Sequence, residues 1–147
     1  MACQRDIGSL QVALSLEEWA PLKAVYGHID DIDIKKILSW ASARFLFGEV
    51  SVWITHIGGC QGRYDIRVRE ELKKKSPRLF ICGHSHILCI LYDKKLSILY
   101  MNPGAAGRYG FHQLRTMLCF CVDKNDIKAL EVIELGTRDP EYNKLLF

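Results

Sequence analysis

Four of the five histidines in this sequence stand just after a short apolar run. They are His28, His56, His84 and His86, and three of them have a glycine adjacent or two residues away. In open α/β sheets, ligands bind beyond the carboxyl ends of the strands, because the loops that leave those ends converge on one crevice. Different strands could therefore bring these imidazoles to one point. Imidazole together with carboxylate suits Zn, Mn, Fe or Ni better than Ca or Mg.

Two carboxylates follow similar short segments, and each candidate also has a plainer interpretation. Asp6 and Asp30 could supply oxygen ligands to the same point, but Asp6 alone is more typical of the first turn of a helix. A single histidine in such a position is more often a hydrogen-bonded packing or loop residue. His112 receives that interpretation. The clustering of the other four is the observation that favours a site.

The elements that must position these side chains are short, nearly continuous apolar runs at positions 22–26, 51–55 and 79–82. Such runs are typical of strands covered on both faces. The segment 64–75 has the apolar spacing of an amphipathic surface helix, and a further helix is expected over 10–19. Strands that alternate with helices predict a layered α/β domain.

The second half of the chain has a different pattern. Apolar segments at 87–92 and 96–101 flank a charged turn, and so do those at 115–122 and 127–135. Each pair predicts an antiparallel hairpin. Between the two hairpins, small residues at 102–107 indicate a turn-rich loop.

Composition favours one globular domain over residues 1–147, since 49% of the chain is hydrophobic and 25% is charged. The net charge of +3 is spread along the chain, so we do not expect a nucleic-acid partner. Of the six cysteines, four lie inside apolar runs, and with no CxxC pair or leader we expect a reducing, cytoplasmic location. No run approaches the roughly 18 apolar residues of a membrane span.

Several motifs together resemble those of the calcineurin-like metallophosphoesterases, in the small bacterial and archaeal phosphodiesterase branch that also includes the retromer scaffold subunit. THIGG at 55–59, GHSH at 83–86 and NPG at 102–104 match the family pattern as they stand. RDIGS at 5–9 is similar to a second family block with Arg in place of Gly, and GHID at 27–30 to a third with His in place of Asn. The resemblance covers most of the chain.

The resemblance implies a metallophosphoesterase-like fold, with two layers of sheet and helices outside, and hydrolysis of phosphodiesters or phosphomonoesters. It implies a two-metal site in which Asp6 bridges the ions. His56 and His84 would bind one metal together with His28, and His86 would help to bind the other. Mn or Zn is the expected metal, with Ni or Fe as alternatives.

The resemblance also implies roles for residues around the metals. Asp30 would orient His28 or a ligating imidazole, and Asn102 would lie near the substrate. Arg5 could clamp a phosphate, although a merely tolerated, exposed arginine is the plainer interpretation. His28 could instead donate a proton to a leaving group. The predicted substrate is a small phosphate ester, and the alternative is a non-catalytic protein-interaction module on the same fold.

The family's first block, Asp-x-His, has no counterpart in the sequence, and we expect the first strand–helix unit, about 35 to 40 residues, to be missing. One metal would then keep only Asp6 and His86. Our sharper hypothesis is a single site of Asp6, His28, His56 and His84, which would favour Zn. The alternative is that no metal stays bound. A missing central strand would also expose sheet edges, so we expect a homo-oligomer or marginal stability.

Overall fold

The computed structural model describes residues 2–3, 7, 9–27, 30, 42–108 and 112–138. Arg5, Asp6 and His28 lie outside these residues. In chain order the elements of the described part are β1 (Ala2–Cys3), α1 (Leu10–Trp19), β2 (Lys23–Ala24), β3 (Ser42–Phe47), β4 (Val50–Thr55), β5 (Gly59–Cys60), β6 (Arg63–Tyr64), α2 (Ile66–Lys74), β7 (Leu79–Cys82), β8 (Leu88–Asp93), β9 (Ile98–Pro103), β10 (Leu114–Asp123) and β11 (Asp126–Thr137).

The principal sheet has five strands in the order β3-β4-β7-β9-β8. Its three central strands, β4, β7 and β9, are parallel to one another, whereas the edge strands β3 and β8 run antiparallel to their neighbours. The carboxyl ends of the central strands therefore meet at one end of the sheet, where loops leave towards the predicted site. Mixed pairing with helices confirms the α/β class.

Both faces of this sheet are covered, as the continuous apolar runs predict. On one face, Val52, Ile54 and Ile81 belong to a buried cluster that the β10–β11 ribbon covers with Leu118 and Phe120. On the other face lies a second buried cluster to which α2 contributes, whose members are Trp53, Val68, Leu72, Phe80, Cys82, Ile98 and Tyr100. Each fully buried large apolar side chain contributes roughly 1.5–3 kcal/mol to folding.

The two predicted helices are confirmed within a residue or two at each end. Asp65 caps α2, because its side chain accepts a hydrogen bond from the backbone N–H of Arg67 at 3.0 Å. Lys73 and Lys74 stand in the last turn, where cations complement the helix dipole. Ser9 caps α1 in the same way through the N–H of Val12. None of the helices that the structure describes is long and apolar enough to span a membrane.

Both predicted hairpins are confirmed, as β8–β9 and β10–β11, but the sequence analysis did not find β3. β3 forms a hairpin with β4, and the tight turn between them uses Gly48 with φ of 59°, a conformation that glycine adopts without strain. The side chains of β3 are exposed or half-buried, and its apolar run at 45–47 is shorter than those at 51–55 and 79–82. β3 and β8 form the edges of the five-stranded sheet, and the oligomer that we expect from exposed edges stays a prediction.

Candidate functional site

His56 is the first residue after β4, and it lies where β4 and β7 end side by side. Thr55 pairs with Cys82 in the parallel register of these strands. One residue further on, the backbone N–H of Gly83 donates to the carbonyl oxygen of His56 at 3.1 Å. His56 is only 6% exposed. The hydrogen bonding between β4 and β7 thus continues by one residue into the two loops that carry His56 and His84, and it holds these loops next to each other.

The loop that follows His56 is packed directly on the neighbouring strands. A Cβ atom on Gly58 would come within 2.5 Å of the Cβ and 2.7 Å of the Sγ of Cys82, so no larger residue fits there. The hydroxyl of Tyr100 donates to the carbonyl oxygen of Gly59 at 2.8 Å. The THIGG motif therefore owes its small residues to close packing on β7 and β9, which fixes the backbone that presents His56.

The GHSH loop has an unusual backbone. His84 and His86 have positive φ angles of 67° and 60°. A residue with a Cβ atom in this left-handed region costs on the order of 1–3 kcal/mol, and such residues are concentrated at functional sites. Ser97 shares the conformation in a hairpin turn, where it is ordinary. Two strained histidines within three residues instead indicate that the loop's shape serves the placement of their rings.

Asn102 holds this loop in place. Its side chain is 1% exposed, and its amide nitrogen donates to the carbonyl oxygen of Gly83 at 3.3 Å and to the hydroxyl of Ser85 at 3.0 Å. Its amide oxygen accepts from the N–H of Gly104 at 3.1 Å. We predicted Asn102 near the substrate. The structure shows both of its amide hydrogens bonded to the GHSH loop, and its place relative to a substrate stays a prediction.

The rings of His56 and His84 are adjacent. Their centres lie 5.2 Å apart and their planes are inclined by 77°. Two imidazoles that bind one tetrahedral ion at about 2.0–2.1 Å have ring centres roughly 5 Å apart, so this pair fits two coordination positions of a borderline metal such as Zn. The structure therefore brings together the two histidines that the sequence assigned to the same metal.

His86 is placed differently. Its Nδ1 lies 3.2 Å from Nδ1 of His112, and the Nε2 of His112 lies 3.1 Å from the carbonyl oxygen of Gly107. The sequence analysis set His112 aside as a hydrogen-bonded loop residue. It is hydrogen-bonded, but its partner is a predicted metal ligand. No spacing in the sequence links positions 86 and 112, because the contact depends on how the segment before β10 folds back on the GHSH loop.

Asp30 is 2% exposed, and its Oδ2 accepts a hydrogen bond from the N–H of Gly27 at 2.8 Å. This contact ties the buried carboxylate of Asp30 to the end of the described segment 9–27. Among the residues that the structure describes, no group of three or more His, Cys, Asp or Glu side chains could hold a metal ion. The complete shell of Asp6, His28, His56 and His84, and the role of Arg5, therefore stay predictions.

Cys82, the residue directly before the GHSH loop, has a buried thiol. Burial raises the pKa of Cys82 to about 11, so its thiol is protonated at neutral pH. That thiol donates to the hydroxyl of Tyr100 at 3.2 Å, and burial raises the pKa of Tyr100 as well. Neither group supplies a nucleophile or an anionic ligand near pH 7.

Comparisons with known proteins show the family and the fold. The family model of the calcineurin-like phosphoesterase superfamily domain matches residues 2–125. A single mutant of Vps29 from Entamoeba histolytica superposes with a TM-score of 0.69 at 14% identity, over 92% of this chain and 81% of that one. Wild-type Vps29 from the same organism, complexed with Zn²⁺, gives 0.68 at 12% identity, over 92% and 80%.

A structure described as a novel archaeal phosphodiesterase has a TM-score of 0.67 at 21% identity, covering 92% of this chain and 84% of that chain. At these identities the likeness shows the fold. No match was found among curated proteins.

Proposed function

Because this chain belongs to the calcineurin-like phosphoesterase superfamily, we propose that it is a metal-dependent phosphoesterase whose centre lies at the ends of β4 and β7. The observation that carries the proposal is the adjacency of the His56 and His84 rings, 5.2 Å apart, on loops joined by a backbone hydrogen bond. In α/β sheets this end is where ligands bind.

In this proposal His56 and His84 bind the same divalent ion through unprotonated ring nitrogens. Asp6 and His28 complete the shell, and His86 contributes to a second ion if one binds. Asp30 orients His28 or one of the ligating imidazoles. The donor set favours Zn or Mn, with Ni or Fe as alternatives.

The chemistry that a bound divalent ion supplies is Lewis acidity towards a phosphate oxygen and a lowered pKa of water, which provides hydroxide as the nucleophile. The chain's own residues hold the reactants. Arg5 binds the non-bridging oxygens of the phosphate. In the alternative in which His28 is not a metal ligand, its ring donates a proton to the leaving alkoxide. Buried Asn102 keeps the GHSH loop in the shape that presents both histidines. The substrate is a phosphodiester or phosphomonoester.

The test is hydrolysis of bis-p-nitrophenyl phosphate by the full chain with added Mn²⁺ or Zn²⁺, compared with His84→Ala. Because outer-shell changes already cost about 10–100-fold, we expect the loss of a ligand to lower kcat/KM by at least about 100-fold. Ser97→Ala is the matched control, since Ser97 has the same left-handed backbone, with φ of 55°, in a hairpin turn. Equal loss in both variants would assign the effect to the backbone.

A protein-binding module on the same fold is the second candidate. It is supported by large apolar side chains that stay exposed on and beside the edge strand β8, namely Ile87, Leu88, Leu91 and Tyr92. Wild-type protein that hydrolyses no phosphate ester with Mn²⁺, Zn²⁺, Ni²⁺ or Fe²⁺ would favour this candidate and end the enzymatic proposal.

A further inference from the structure

Three sulfur-bearing side chains stand in a row on the solvent face of β10. Met117, Cys119 and Cys121 occupy alternate positions of this strand, and all three are exposed, Met117 to 38%. The residues between them, Leu118 and Phe120, pack against the buried cluster of the principal sheet. Because successive side chains of a strand project from opposite faces, this packing places the three sulfur-bearing side chains together on the outward face.

The exposure of the two thiols of this row is unusual. A free cysteine is among the most buried residue types, and Cys82 of this chain follows that rule. Cys119 and Cys121 face water instead, while the other face of their strand packs on the core. Packing therefore gives no account of these two cysteines. Besides packing, a free thiol can oxidise, exchange disulfides or bind a metal ion.

Strand geometry disfavours a disulfide between Cys119 and Cys121. Cys119 pairs with Glu131 and Cys121 with Lys128, so the extra residue of the bulge lies in β11 and β10 itself stays regular. Two residues of regular strand advance about 6.7 Å, and side chains on one face are separated by the same step. A disulfide needs Cβ atoms only about 3.5–4.5 Å apart. The two thiols are therefore neighbours whose bonding to each other would distort the strand.

A metal ion between the two sulfur atoms spans this separation. Metal–thiolate bonds of about 2.3 Å place two thiolates up to roughly 4.6 Å apart, and the Cβ–Sγ bonds cover the remainder. Structural Zn sites need four protein ligands, whereas the part of the chain that the structure describes adds no His, Cys, Asp or Glu that would make a metal-holding group of three with these thiols. Cu(I) accepts fewer ligands and is selected by thiolate and thioether sulfur, and Met117 offers the thioether.

We propose that Met117, Cys119 and Cys121 form a binding site for Cu(I) on the outward face of the β10–β11 hairpin, with two thiolates and one thioether as ligands. The site shares no residue with the histidine centre at the ends of β4 and β7. Each site can therefore exist without the other, and the inference does not depend on the proposed hydrolysis.

The experiment titrates the reduced full chain, without oxygen and with ascorbate, against the coloured Cu(I) complex of bicinchoninate. We expect the wild type to withdraw one Cu(I) per chain. Cys119→Ser and Cys121→Ser should each weaken binding by at least about 100-fold, because the loss of an outer-shell partner alone costs about 10–100-fold. Met117→Leu should weaken binding less than either serine variant. Cys60→Ser removes an exposed thiol outside the row, so it is the matched control and should bind as the wild type does.

Two further measurements locate the ion. His84→Ala should bind Cu(I) as the wild type does, because its histidine lies outside the hairpin, and X-ray absorption at the copper edge should show sulfur neighbours only. All the substituted positions are exposed, so the variants should fold normally, which circular dichroism checks.

Several results would overturn the inference. These are equal Cu(I) binding by the wild type and both serine variants, loss of binding in His84→Ala, nitrogen neighbours at the copper, and one ion shared by two chains. Tight Zn²⁺ binding that disappears in Cys119→Ser would also refute the selection of Cu(I). Unchanged affinity in Met117→Leu would remove the thioether from the site.

Discussion

Replacing Asn102 with alanine tests whether this residue holds the GHSH loop. The substitution removes three hydrogen bonds from a side chain that is 1% exposed, to Gly83, Ser85 and Gly104. Each such bond contributes about 0.5–1.5 kcal/mol net, which sums to about 1.5–4.5 kcal/mol before any cavity term. We therefore expect the free energy of unfolding to fall by about 3 kcal/mol.

The assay is urea denaturation followed by circular dichroism, and the midpoint should fall without a change in slope. Two companions isolate the cause. Asn102→Asp keeps the side-chain volume but has no N–H groups, so it should be about as destabilising as Asn102→Ala if hydrogen bonding dominates. Ser85→Ala removes one of these three bonds, together with the bond that its hydroxyl accepts from the N–H of Ile87 at 3.3 Å, and at this exposed residue the two should cost about 1 kcal/mol or less.

Two results would refute this reasoning. One is a cost for Asn102→Ala below about 1 kcal/mol, or no greater than that of Ser85→Ala. The other is an Asn102→Asp variant as stable as the wild type, because the energy would then come from filled volume instead of from the amide donors.

Two further predictions concern the packing behind the His56 loop. Gly58→Ala should destabilise the fold by about 1–3 kcal/mol, because its Cβ would approach Cys82 to 2.5 Å. Gly107→Ala is the control, since a Cβ there has nothing within 4 Å and should change stability by less than about 0.5 kcal/mol. Thermal melting compares the two variants, and equal stability would contradict the close contact at Gly58. Burial raises the pKa of Cys82 to about 11 from its ordinary 9.0, so the stability this thiol contributes is complete below pH 9 and is lost as pH rises towards 11. At about 1.4 kcal/mol per pH unit, roughly 2–3 kcal/mol should be lost over that range in the wild type beyond the loss in Cys82→Ser, and parallel pH profiles would contradict it.

The strands that carry the site were predictable because burial on both faces leaves a plain mark on the sequence. Positions 51–55 and 79–82 are continuous apolar runs, and they became β4 and β7 almost unchanged. β3 was missed for the opposite reason. Its side chains stay exposed or half-buried at the sheet edge, and pairing with β4 is a backbone interaction that leaves no periodic apolar signal.

The site, like the fold, was predictable only in part. The GHSH and THIGG motifs located His56 and His84, because loops after parallel strands must converge. The direction of a side chain is not encoded in such a motif. NPG placed Asn102 near the substrate as a prediction, but the motif did not predict that its amide donates to Gly83 and Ser85 of the GHSH loop. His112 was interpreted as a hydrogen-bonded loop residue, but its contact with His86 was not predicted, because the two residues are 26 positions apart in the chain.

The β10–β11 hairpin touches both ends of the principal sheet. Near its start, Thr116 is bonded to the loop after β9, and at its tip the carbonyl oxygen of Lys124 accepts from the N–H of Glu49 in the β3–β4 turn at 3.0 Å. Ten residues of strand span roughly 30 Å, so the hairpin fixes the distance between its contacts at the two ends of the sheet. Extra residues at the tip would break only the Glu49 contact. Extra residues at the base would displace the loop whose Gly107 carbonyl oxygen contacts His112. Relatives that share this hairpin should therefore vary in the length of the β10–β11 turn and keep the length of the segment between β9 and β10 constant.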